Sequence, residues 1–99
     1  MGREITSSER KKLRGLAHHI KPVIQLGKGG ISDNLIKAAE VALSDHELIK
    51  LKFLDFKDTK KELSLELSKK LNSHVVGMVG NTAIFYRENP VEEKRKILL

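Results

Sequence analysis

At Leu26-Gly27-Lys28-Gly29-Gly30-Ile31-Ser32, three glycines in four positions end one pattern and open another. Before them, Val23-Ile24-Gln25-Leu26 is an apolar run of strand length. After them, Leu35, Ile36, Ala39, Ala42 and Leu43 recur at helical spacing. The chain must pass from strand to helix here, and glycine permits a sharp turn because it tolerates positive φ and carries no Cβ. A helix beginning at about Ser32 or Asp33 points its unpaired amides back toward the turn. An anion such as a phosphate suits that place, and Lys28 adds a mobile positive charge. A tight structural turn with a solvated lysine would use the same residues, and on these residues alone the two readings stand equal.

The flanking sequence extends the alternation of helix and strand. Thr6-Ser7-Ser8-Glu9 has the form of a capping box. Leu13, Leu16, Ala17 and Ile20 follow at helical spacing, predicting a first helix from about Ser7 to His19. Its other face carries Arg10, Lys11 and Arg14, and Gly15 within it is expected to mark close packing. Pro22, which cannot donate to a ladder, suits the start of the following strand. From Glu47 to Leu54 the chain alternates: Ile49, Leu51 and Phe53 point one way, Lys50 and Lys52 the other. That second face is expected to be wet and basic. Thr59-Lys60-Lys61-Glu62 reads as a second capping box, opening a helix on Leu63, Leu67 and Leu71, with Asn72 as a left-handed cap. His74–Val79 and Thr82–Tyr86 then flank Gly80-Asn81, a loop suited to a type II′ hairpin.

The order is α-β-α-β-α-β-β. Helical crossovers imply parallel strands and right-handed connections, while the hairpin adds antiparallel pairing. The expected product is a two-layer α/β domain with a four-stranded mixed sheet. Residues 1–6 form a lead-in, 7–89 the domain and 90–99 a charged tail beginning at Pro90. Ninety-nine residues suffice for a single core.

Charge separates the chain further. The formal net charge is +6. From Arg10 to Ser32 there is no acidic residue, while Arg10, Lys11, Lys12, Arg14, Lys21 and Lys28 are all positive. The remaining chain balances 13 Lys or Arg against 13 Asp or Glu, so this one segment supplies the surplus. A field so concentrated favours a polyanionic partner. Nucleic acid fits better than a membrane surface, because no strongly apolar helix face accompanies the charge. Without a secretory signal or an apolar span, a soluble cytoplasmic protein is expected.

Catalytic and metal chemistry find little to work with. There is no cysteine, hence neither a disulfide framework nor a thiolate nucleophile. Adjacent His18 and His19 cannot both face one metal from a regular helix, and His46 and His74 lie apart from them. His18 is the one placed to reach RNA, beside the basic helix. The glycine loop lacks the spacing of a Walker A loop and of Gly-x-Gly-x-x-Gly. No cofactor, no metal and no enzymatic reaction is expected. Nor is an aromatic stacking platform evident: the aromatics are Phe53, Phe56, Phe85 and Tyr86, Phe53 and Phe85 alternate like core residues, and Tyr86 is taken as the candidate stacker, with packing as its ordinary role.

Four stretches resemble the CRM domain in its stand-alone YhbY-type form. They are Leu13-Arg14-Gly15-Leu16-Ala17-His18, Lys21 through Gly30, His46-Glu47-Leu48-Ile49-Lys50-Leu51-Lys52 and Val79 through Arg87. The resemblance spans about Ser7 to Arg87, with its motifs in order. It implies a fold like the C-terminal domain of bacterial translation initiation factor three, and an RNA-binding function tied to precursors of the large ribosomal subunit. The family's loop maps onto Gly27, Lys28, Gly29 and Gly30. Its basic surroundings correspond to Arg10, Lys11, Arg14, Lys21, Lys50 and Lys52. The implied partner is ribosomal RNA or a large-subunit precursor, bound by a monomer. A protein–protein adaptor or RNA-chaperone-like module acting through the hairpin and tail is the alternative.

Overall fold

A computed structural model describes residues 4–99, so the first half of the lead-in lies outside the described residues. Helix α1 is Ser7–Ala17, strand β1 Ile24–Leu26, helix α2 Asp33–His46, strand β2 Leu48–Phe53, helix α3 Lys60–Lys70, strand β3 His74–Val79 and strand β4 Thr82–Tyr86. Short 3-10 turns stand at Lys57–Thr59 and Glu92–Lys94. The sheet order is β1-β2-β4-β3. Strand β1 pairs with β2 in parallel through the α2 crossover, and β4 lies antiparallel between β2 and β3. Strands β2 and β3, joined by α3, therefore run the same way without touching. The predicted element order and mixed sheet are present.

Burial assigns the faces. Along β4, Ala83 and Phe85 enter one core with Leu26, Ala39, Leu43, Leu51, Phe53 and Leu67, which joins the sheet to α2 and α3. Ile84 and Tyr86 enter a second cluster with Leu13, Ala17, Leu48 and Val76, under α1. Helix α1 thus adds a partial third layer to the expected two. Buried on both faces, β4 reads as a continuous apolar run instead of alternating. The cover on the α1 side is incomplete: Lys50 is half-buried and Lys52 exposed, so the wet, basic face exists only beyond the helix.

Local signals mostly hold. Thr6 and Glu9 close the first capping box, Asn72 has φ 48°, and Gly80 has φ 58° in a two-residue loop. The second capping box does not form. Residues 57–59 already turn as a 3-10 helix, and the Thr59 hydroxyl donates to Phe56 O at 3.3 Å instead of capping α3. Gly15 is not a site of close packing, since a Cβ there would meet nothing within 4 Å. The close approach is at Gly77, where a Cβ would lie 2.8 Å from Arg14 Cδ.

The C-terminal segment is held by Glu47. This residue is 1% exposed and caps α2 at φ 63°, an unfavourable backbone angle for a side chain with a Cβ. Its carboxylate accepts from the amides of Asn89 (2.7 Å), Lys96 (2.7 Å) and Ile97 (3.0 Å). Ile97 in turn packs against the cluster under α1.

Candidate functional site

The glycine loop projects from the end of β1. Gly30 N donates to Gly27 O at 3.0 Å, closing a four-residue turn with exposed Lys28 and Gly29 at its tip. Only Gly30, at φ 62°, needs glycine for its backbone. At Gly27 and Gly29 the fold imposes no such need: a Cβ would meet nothing within 4 Å, so both border open space. The amides of Lys28 and Gly29 have no hydrogen-bond partner among the described residues. Ser32 follows as the N-cap of α2, its hydroxyl accepting from Leu35 N at 3.2 Å. The loop therefore sets two unpartnered amides and an exposed lysine a few residues before the N-terminus of α2, whose first turn also carries Asp33.

Its base is fixed from a second direction. Leu26 O accepts from Leu54 N (2.9 Å) and Asp55 N (3.2 Å), which ties the segment after β2 to the root of the loop. The ring of Phe56 packs on Gly30, yet the residue stays 42% exposed. The hairpin lies at this same end of the sheet, since Asn81 O accepts from Phe53 N at 2.7 Å.

The basic residues of α1 are partly engaged by the fold. Arg10 Nη1 donates to Val75 O at 2.7 Å and Arg14 Nη1 to Val76 O at 3.2 Å. Those carbonyls belong to edge strand β3, where the pairing register with β4 shifts between Val75 and Gly77. The guanidinium groups are thereby oriented, with further donors left over. Lys11 is exposed. Arg14, His18 and Lys50 meet around a cleft of about 130 Å³, completed by Ala17, Val79 and Ile84. Lys52 continues that face of β2, opposite Gln25 and two residues short of Gly27 in register. Lys21 is set apart: it lines a separate, largely apolar pocket of about 580 Å³ with His19, His46 and Ile97. Tyr86 is 1% exposed and belongs to the core, so the candidate stacker of the sequence has no open ring face.

Such a surface donates hydrogen bonds and neutralises anions. Among the described residues no three His, Asp or Glu side chains gather as a metal site would require. No helix among them is long and apolar enough to cross a membrane. Two residues escaped the sequence reading. Phe56 had a signal, being an aromatic between Asp55 and Lys57 in a polar stretch. Glu47 had none, because its partners lie more than forty positions away.

Comparison with known proteins bears on the same architecture. The pattern of the CRS1 / YhbY (CRM) domain matches residues 5–87. Probable RNA-binding protein YqeI of Bacillus subtilis is 38% identical over 96% of this chain and 98% of its own length. Probable RNA-binding protein PA4753 of Pseudomonas aeruginosa is 35% identical over 91% and 88%. The solution structure of the hypothetical protein SAV1595 from Staphylococcus aureus superposes with a TM-score of 0.80 at 38% identity, over 96% of this chain and 100% of that one. A match of this extent, in sequence and backbone alike, makes the chain a member of the CRS1 / YhbY (CRM) domain family.

Proposed function

We propose that the chain binds RNA without enzymatic turnover, gripping the sugar–phosphate strand at Gly27–Gly30. The observation that carries this reading is the pair of free amides at Lys28 and Gly29 under open space. Lys28, Arg14, Lys50 and Lys52 supply the electrostatic attraction, with the ring of His18 beside them as a hydrogen-bonding group, while Arg10 and Lys11 extend the field along α1. The relatives named as RNA-binding proteins support the partner class. Within it, ribosomal RNA of a large-subunit precursor is the proposed target, bound by a cytoplasmic monomer acting in assembly. Lys21 contributes to the long-range field and not to the grip, since it lines a different pocket.

The adaptor alternative draws less support, because the tail it needs has two amides, those of Lys96 and Ile97, committed to Glu47. Co-sedimentation of the full chain with ribosomal particles, before and after charge reversal at Lys50 and Lys52, tests the reading. Loss of association with precursor large subunits is the expected result. Unchanged association after reversal contradicts the proposed surface.

A further inference from the structure

Phe56 stands out as a large aromatic left open beside the glycine loop. Its backbone is in the left-handed region at φ 55°, a conformation that a residue with a Cβ adopts at a cost. Nothing in the core asks for that placement: Phe56 is 42% exposed and belongs to neither buried cluster. Yet its backbone is firmly held. Phe56 N donates to Asp55 Oδ1 at 2.7 Å, and Phe56 O accepts from Thr59 N at 3.1 Å and Thr59 Oγ1 at 3.3 Å. The two preceding amides are tied to Leu26 O at the root of the loop. The ring is thus carried on a hydrogen-bonded turn, with Cε2 and Cζ nearest Gly30 and much of its surface in solvent.

We infer that Phe56 is a stacking platform for an unpaired nucleobase, set so that a base lies on the ring while the adjoining phosphate meets the free amides of Lys28 and Gly29. The inference rests on the RNA-binding reading and adds a preference to it. Backbone gripping alone does not distinguish paired from unpaired RNA, whereas a base can reach an aromatic ring only when it is free of its own helix. Placement by the turn means that little side-chain freedom is lost on binding.

The chain contains no tryptophan, so Phe56→Trp provides a single tryptophan at the site, excited selectively over Tyr86. In the full-length protein, short single-stranded oligoadenylate is expected to quench its emission, and inorganic polyphosphate to leave it unchanged. Phe56→Leu keeps an apolar side chain but removes the ring. It is expected to weaken oligoadenylate binding roughly five- to hundred-fold while leaving the thermal midpoint and binding to blunt-ended duplex RNA as they were. Equal loss for both RNAs, equal quenching by polyphosphate, or no binding of oligoadenylate to the unaltered chain overturns the platform. If Phe56→Leu is silent while Lys28→Ala weakens binding, stacking is wrong and the backbone grip survives. If the reverse holds, stacking stands and the Lys28 ammonium is no part of the site.

Discussion

The carboxylate of Glu47 accepts the amide of Ile97 at 3.0 Å, joining the end of α2 to a residue fifty positions later. The same group takes up the amides of Asn89 and Lys96, all within the fold. Glu47→Ala leaves three donors without their acceptor and is expected to lower stability by about 2–4 kcal/mol. Glu47→Gln, which retains one acceptor oxygen, should cost less. Thermal or denaturant unfolding of the two variants checks the order; equal stability of all three proteins contradicts the role.

Gly77 and Arg14 form a second coupled pair, since a Cβ on the strand would come within 2.8 Å of Arg14 Cδ. Gly77→Ala is expected to cost about 1–2 kcal/mol through crowding. Arg14→Ala removes the obstructing side chain, so the double variant should be less destabilised than the sum of the two singles. Additive unfolding free energies would show that the contact is not felt.

The glycines of the loop should separate by role. Gly30, at φ 62°, is held there by the backbone, and Gly30→Ala is expected to lose about 1–2 kcal/mol of stability. Gly27→Val places a branched side chain in open space, leaving stability nearly intact while obstructing the approach of a strand. Unfolding and RNA-binding curves measured together make the distinction. Parallel loss of folding and binding at both positions returns the loop to the status of a structural turn.

Arg87 fastens the end of β4 to two helices. It donates to Glu40 Oε2 (2.9 Å), Leu71 O (2.8 Å), Glu40 O (3.3 Å) and Ser44 Oγ (3.1 Å). Because Glu40 is nearly half exposed, most of the loss on Arg87→Ala comes from the buried carbonyl of Leu71 and not from the ion pair. About 1–3 kcal/mol is expected. Arg87→Lys, lacking the planar fork, should recover only part of it. Full recovery by lysine contradicts this division.

Local pattern made much of this fold legible. The alternation from Ile49 to Phe53, the Thr6–Glu9 box and the Gly80-Asn81 loop are each decided within a few residues, and the chain obeys them. What failed depended on distant partners. Thr59 and Glu62 had the spacing of a cap, but Phe56 O captured the threonine hydroxyl. Gly15 and Gly77 look alike as sequence, and only the packing of α1 on β3 shows which one is crowded. The loop at Gly27–Gly30 was visible because glycine spacing is local, whereas the open ring of Phe56 follows from how the turn after β2 is tied to Leu26. Tyr86 was considered for stacking because aromatics at a strand end are ambiguous until the second face of the sheet is known to be covered.

The proposed grip on RNA joins the free amides at the tip of the loop to the charge of Lys28. It is tested most directly by measuring RNA affinity against salt concentration for the unaltered chain and for Lys28→Ala. A lysine that meets a phosphate releases a counterion on binding, so the variant should bind more weakly across RNA sequences and show a salt slope smaller by about one unit. An unchanged slope with unchanged affinity would contradict the account and take Lys28 out of the interface.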